Sequence, residues 1–257
     1  MNTSLLIAST GVRAYQGKLD TIANNLANVD TAGYKRREAA FSENLTVSIQ
    51  NQADVEKETG RKSPLGIRTT YGSRVAATPI ELTQGAPKQT DQPFDFMIEG
   101  SGYFQVRRTT DAGTEILYTR NGAFQQTPAG DGRFQLVNAN GDVLLDQNGN
   151  PIEWSHDREF VVAGDGTIEG TNQRIGLVYF TNPQLLKEDG GAYRLSGGAV
   201  TAAASNVQIK QGFLESSNVD LNQEMTDMIK AQRGYQASAR ALSYADQMMG
   251  IANNIMR

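Results

Sequence analysis

Apolar residues near the start of the chain recur in alternating steps of three and four: Leu5, Ala8, Val12, Tyr15, Leu19, Ile22, Leu26 and Val29. That spacing keeps one stripe on one side of a helix and predicts an α-helix of about 25 residues, roughly 38 Å long. Thr3 or Ser4 is placed to cap its start, and Asp30, Thr31 and Gly33 supply the turn chemistry that stops it. The far end mirrors this pattern. Asn218, Leu221, Met225, Met228, Gln232, Tyr235, Ala239, Leu242, Asp246, Met249, Asn253 and Met256 keep the same steps, and Ile229 and Ala245 widen the stripe. Asn218 or Asp220 is expected to cap this second helix, with Glu224 near its positive end.

The middle of the chain has a different period. Short runs such as FDFMI, YFQV, EILYT, FQLV, FVV, GLVYF and YRL are separated by turn pairs at Asn121-Gly122, Asp131-Gly132, Asn140-Gly141, Asn148-Gly149 and Asp165-Gly166. Closely spaced short strands of this kind predict an antiparallel β domain. Between it and the first helix, Ser42 to Gly72 is mostly polar, carries mixed charges and sustains neither period, and it reads as an extended connector. The expected fold class is therefore α+β: long N- and C-terminal helices form a coiled-coil-like helical domain (residues 1–33 and 213–257), a connector follows (34–73), and an antiparallel all-β domain is inserted (74–212).

Either terminal helix alone is marginal in water, because one buried stripe offsets only part of the cost of ordering the backbone. Pairing the two ends leaves Ile7, Ile22 or Ala23 on one helix and Ile229 or Met248 on the other near the margins, so further partners are expected. Asparagines flank the seams: Asn24, Asn25 and Asn28 around Leu26, and Asn253 and Asn254 near the other terminus. Solvated or capping amides are one reading. The other is that amides between densely packed helices satisfy one another across subunits and fix register. The residues expected at an assembly interface are Leu5, Val12, Tyr15, Leu19, Ile22, Asn24, Asn25, Leu26 and Asn28 on the first helix. On the second they are Leu221, Met225, Ile229, Tyr235, Leu242 and Met249.

Composition narrows the chemistry. The 257 residues carry 24 Lys plus Arg against 28 Asp plus Glu, a net charge of −4, which is the wrong sign for coating a phosphate backbone, so nucleic acid is not an expected partner. With no cysteine and a single histidine, thiolate catalysis, iron–sulfur clusters and the common zinc sites are excluded, and no cofactor, metal site or catalytic residue is expected. Asp146, Asn148 and Asn150 begin like a calcium loop, but Pro151 stands where glycine is required and Asp157 where the bidentate Glu belongs. Gly100-Ser101-Gly102 reads as a β-turn, His156 beside Asp157 as an exposed loop, and Trp154 as a core or interface aromatic. Lys35-Arg36-Arg37 reads as a solvated face or as a contact with an acidic neighbour. The first residues have no basic n-region followed by an apolar core, and no run is apolar enough to span a bilayer, so neither a cleaved signal peptide nor direct membrane insertion is expected.

Ala23 to Arg36, within "SLLIASTGVRAYQGKLDTIANNLANVDTAGYKR", resembles the N-terminal signature of the axial proteins of the bacterial flagellum, the rod and hook proteins; Asp30, Ala32 and Tyr34 depart from its commonest residues. "GFLESSNVDLNQEMTDMIKAQRGYQASARAL", Gly212 to Leu242, is similar to the matching C-terminal signature, with Gly234 where alanine is usual. "ELTQGAPKQTDQPFDFMIEGSGYFQV" and "YTRNGAFQ" resemble the first part of the β domain of distal-rod and hook proteins. The resemblance implies a structural subunit of the basal-body rod, of the distal type by length, that stacks helically into a hollow tube transmitting torque from motor to hook. It also implies copies of itself and neighbouring rod and hook proteins as partners, export through the flagellar type III apparatus, and an extracytoplasmic place in the basal body. A hook-type axial protein, another secreted surface or tail module with helical ends, and a β-domain hydrolase are the alternatives. The rod reading expects largely disordered ends in a free monomer.

Overall fold

A computed structural model describes residues 2–44, 46–49, 67–110, 113–130, 132–155, 160–171, 173–180, 186–195, 200–201 and 207–255. The fold is α+β, with one long helix at each end of the chain and antiparallel strands between. Two compact units are formed: Met1–Leu26, Arg37–Pro79 and Leu221–Arg257 make the first, and Ala27–Arg36 with Ile80–Asp220 make the second.

The first unit holds both helices, α1 (Asn2–Ala27) and α2 (Leu221–Ile255), and the strands β1 (Ala40–Glu43), β2 (Thr46–Ile49), β3 (Ile67–Thr70) and β4 (Ser73–Ala77). α1 begins at Asn2, so Thr3 and Ser4 lie inside its first turn instead of capping it. The stretch read as an extended connector is structured on both sides: β1 pairs antiparallel with β4, and β2 with β3, with Phe41 opposite Val75 and Thr46 opposite Thr70. Strands of four residues are too short to display a period of two, which is why the pattern was silent. Residues 50–66 of that stretch lie outside the described residues. The base of this ribbon meets α1, where a side chain at Gly72 would collide with Thr10, and one at Gly17 would lie 3.2 Å from Val75.

The second unit is built from β5 (Pro87–Gln89), β6 (Phe96–Glu99), β7 (Tyr103–Thr110), β8 (Gly113–Thr119), β9 (Gln125–Gly130), β10 (Arg133–Val137), β11 (Val143–Leu144), β12 (Glu153–Ser155), β13 (Leu177–Phe180), β14 (Leu186–Asp189), β15 (Ala192–Leu195), β16 (Val200–Thr201), β17 (Gln208–Gln211) and β18 (Phe213–Glu215). One sheet runs β12-β10-β11-β7-β8-β15-β14, with β9 on β10 and β13 on β7; β17 pairs with β6, and β18 with β5. All these pairings are antiparallel. The apolar runs face inward as their alternation requires: Phe96, Ile98, Phe104, Val106, Leu117, Leu136 and Leu144 are buried in one core, which Trp154 joins against Phe160 at 4.6 Å between ring centres. The run FVV makes no strand; Phe160 is buried and Val162 forms a single bridge to Ile168.

Candidate assembly interface

The two helices meet along small residues. A Cβ at Gly11 would lie 3.2 Å from Ser238, a Cβ at Gly234 would collide with the Tyr15 ring, and the Asn25 side-chain amide donates to Glu224 at 3.2 Å. These contacts advance by equal steps in opposite directions, so α1 and α2 run antiparallel. Ala8, Ala14, Ala231 and Ala245 are buried along the seam. Asn25 and Glu224 are also fully buried; Asn25 further donates to the Arg37 carbonyl at 2.8 Å and accepts the Arg37 N–H at 3.0 Å, so its amide is engaged within its own chain.

Of the sequence-predicted interface residues on α1, Ile22 and Asn25 are buried, Leu5, Val12, Tyr15, Leu19, Leu26 and Asn28 are half-buried, and Asn24 is exposed. On α2, Leu242 and Met249 are half-buried, while Leu221, Met225, Ile229 and Tyr235 stay exposed, Ile229 by 52%. The line that packs on α1 is Glu224, Ala231, Ser238 and Ala245, one residue ahead of Met225, Gln232, Ala239 and Asp246. Large apolar residues drew the predicted seam, whereas small ones let the two backbones approach, and the large ones are left outward.

Two apolar stripes result. Leu221, Met225 and Ile229 form one, and Tyr244, Met248, Ile251 and Ile255 form the other, each at the three-to-four spacing of a single helix face. At 3.6 residues per turn, Met225 lies about 100° to one side of Glu224 and Met248 about 60° to the other side of Ala245. α2 therefore offers apolar surface on both flanks of its buried line, which is unusual for a chain whose chemistry is complete by itself.

In the second unit a buried ion cluster ties three distant stretches together. The Glu215 carboxylate accepts from Lys35 Nζ at 2.6 Å, from Arg120 Nε at 2.6 Å and from the Gly85 N–H at 2.9 Å. Arg120 also donates to the carbonyls of Ile98, Gly100 and Gly102, and Lys35 to that of Thr83. The three side chains are almost completely buried. Burial alone would push the Glu215 carboxyl up, but the Arg120 charge and the Lys35 ammonium outweigh it and hold it below the usual carboxylate range. Gly33, at a positive φ of 71° that favours glycine, turns its N–H onto the Glu215 carbonyl at 2.7 Å. Asn218, expected as a cap, instead accepts the Arg36 N–H and donates to the carbonyls of Glu81 and Thr83. Lys35 is thus a buried partner of an acid in its own chain, and the solvated-face reading of that position is corrected. Nothing in the hydrophobic pattern marked the cluster; the one signal was that its three members fall in three of the four quoted stretches.

Elsewhere, the Asp146 carboxylate accepts the N–H groups of Asn148 and Asn150, both at 2.8 Å, so its oxygen closes a turn. His156 and Asp157 lie outside the described residues. Among the described residues no group of metal-ligating side chains is gathered, and no helix is long and apolar enough to cross a membrane.

Three family models match along the chain: flagella basal body rod protein at residues 5–35, flagellar hook protein FlgE/F/G D1 domain at 97–170, and flagellar basal body rod FlgEFG protein C-terminal at 210–255. The chain is 34% identical to the flagellar hook-basal body complex protein FlhP of Bacillus subtilis, over 99% of this chain and all of that one. It is 32% identical to the flagellar basal-body rod protein FlgG of Borreliella burgdorferi over the whole of both chains. The chain belongs to the flagellar basal-body rod protein family. This rod protein is a structural subunit of the flagellum, in the basal body. The rod protein of Caulobacter vibrioides, also named FlgG, is 31% identical over 96% of each chain. Lys35 of this rod protein lies in the first matched segment, Arg120 in the second and Glu215 in the third.

Proposed function

We propose that this rod subunit assembles helically with copies of itself and with neighbouring rod and hook proteins, its terminal helices forming a coiled-coil-like inner layer of the hollow drive shaft and its inserted β unit lying outside. The observation that carries the reading is the pair of uncovered apolar stripes on α2, beside a helix pair whose close approach runs along small residues such as Gly11, Ala231, Gly234 and Ser238. Covering Leu221, Met225 and Ile229 on one flank and Met248 and Ile251 on the other calls for at least two neighbours, as a helical lattice supplies and a closed dimer does not. The predicted interface residues of α1, Leu5, Val12, Leu19 and Leu26, are half-buried within the chain and take their remaining contacts from the same neighbours. The subunit reaches its extracytoplasmic site through the flagellar type III export apparatus, and the reading assigns it no reaction and no cofactor.

Deletion of the gene tests this directly. Loss of flagella and of swimming, restored by the full chain but not by one lacking residues 1–28, is the expected result. Normal flagella in the deletion strain would overturn the proposal.

A further inference from the structure

Asparagine followed by glycine occurs at Asn121-Gly122, Asn140-Gly141 and Asn148-Gly149, and the assembly reading gives these pairs no role beyond turning the chain. Asparagine is chemically labile, and a following glycine, with no Cβ to shield its nitrogen, leaves the asparagine side-chain carbon open to attack by the backbone. The fold treats the pairs differently. Two of them sit in turns of matching geometry. Between β10 and β11, Asn138 Oδ1 accepts the N–H groups of Asn140 and Asp142, both at 2.9 Å, and Gly141, at a φ of 83°, donates to the Asn138 carbonyl at 3.0 Å. Between β11 and β12, Asp146 Oδ1 accepts the N–H groups of Asn148 and Asn150, and Gly149, at a φ of 82°, donates to the Asp146 carbonyl at 3.2 Å. The two asparagine side chains differ. Asn140 is held by its donation to the Gly190 carbonyl, whereas Asn148 is exposed and makes no side-chain hydrogen bond to a described residue. Asn121 is fixed more firmly: its Oδ1 accepts the Ala123 N–H at 3.0 Å, and Gly122 is buried against the Phe96 carbonyl, with which a side chain would collide.

We propose that Asn148 is a site of spontaneous covalent modification, losing its side-chain amide to become aspartate or isoaspartate, while the fold protects Asn140 and Asn121. The Gly149 nitrogen gives its proton to hydroxide and bonds to Asn148 Cγ; the bond from that carbon to the side-chain nitrogen breaks, and the nitrogen leaves as ammonia with a proton from water. The succinimide so formed takes up one water at either of its carbonyls and opens, with no change of oxidation state. Either product adds a negative charge to a chain whose formal net charge is −4, close to the Asp146 carboxylate. The isoaspartate also inserts a carbon into the backbone between residues 148 and 149. That insertion draws the Asn150 N–H away from Asp146 Oδ1 and loosens the turn that the Leu145–Pro151 bridge closes. Asn150 itself is exempt, because Pro151 has no N–H to give up. The reaction is intramolecular and does not require the rod arrangement.

The test incubates the full chain, folded and in concentrated urea, at mildly alkaline pH. Samples taken over time are digested, and peptide mass spectrometry counts the amide-to-acid conversion at each asparagine, with the isoaspartyl form identified by fragmentation. In the folded chain, conversion at Asn148 is expected to run about tenfold or more faster than at Asn140, the worth of one side-chain hydrogen bond, and faster still relative to Asn121. In urea, where no turn survives, the three rates are expected to converge. Asn148→Gln, whose longer side chain does not close the same ring, is expected to abolish conversion in its peptide. Conversion at Asn140 or Asn121 in the folded chain as fast as at Asn148 would overturn the proposal. So would an Asn148 that stays intact in the folded chain while it converts in urea, or conversion that persists in the Asn148→Gln peptide.

Discussion

The Tyr15 ring on α1 occupies the space in which a side chain at Gly234 on α2 would have to begin. Gly234 costs the helix about 1 kcal/mol of propensity relative to alanine, and the ring it admits also leans on Phe41 of the ribbon at 6.0 Å between ring centres. The two positions form one complementary pair. Gly234→Ala is therefore expected to lose more to overpacking, about 1–3 kcal/mol, than it gains in propensity, and to reduce swimming. Tyr15→Leu introduced together with it should restore swimming. The check is a motility assay of the two single variants and the double; Gly234→Ala behaving as a neutral change would place Tyr15 elsewhere.

The Asn25–Glu224 contact predicts a sharper loss. Asn25→Asp would set two carboxylates about 3 Å apart in a site closed to water, which raises the cost of ionising either. Incorporation into basal bodies should fall strongly at neutral pH, and Asn25→Asp combined with Glu224→Gln should recover it. Immunoblots of purified basal bodies read the outcome, and equal incorporation of the single variant would remove Asn25 from the helix contact.

Glu215 makes the stability of the second unit depend on acid. Its folded-state value lies below the unfolded one, so its contribution is complete above the unfolded carboxylate value of about 4.3 and is lost as pH falls through the folded value. Glu215→Gln leaves Lys35 and Arg120 as buried cations without their acid and is expected to cost about 3–5 kcal/mol at pH 7. The difference between variant and parent should narrow below pH 4. Trp154, the single tryptophan and part of this unit's core, reports the unfolding by its fluorescence. A parent and variant of equal stability at pH 7 would deny the cluster its role.

What could be read in advance divides along physical lines. The two helices and the strand-rich centre follow from local periods, and both are present. The β1–β4 ribbon was missed because strands of four and five residues carry too little pattern. The Lys35–Glu215 pair joins residues 180 apart in the chain, a separation that no local rule reaches, and Lys35 looks from sequence like any member of a basic run. On α2 the period was right but the face was not: the pattern weighs large apolar residues, whereas Ala231, Gly234 and Ser238 make the contact because they are small. That shift is informative, since it is what leaves Met225 and Ile229 outward.

The outward stripe predicts a separation of stability from assembly. Ile229→Asp should leave unfolding of the purified subunit nearly unchanged, within about 0.5 kcal/mol as for ordinary surface positions, while preventing incorporation, because a buried unpaired charge is costly at a packed interface. A fall in subunit stability with normal swimming would reverse that assignment.

The chain contains no cysteine, so a single introduced thiol can be followed without background. Met225→Cys and Ile229→Cys, with the exposed Thr114→Cys of the β unit as control, can be labelled with a maleimide in the free subunit and again in purified basal bodies. The account predicts ready labelling at all three positions in the free subunit, and strong protection of positions 225 and 229, but not 114, after assembly. Equal reactivity of positions 225 and 229 in both states would contradict it.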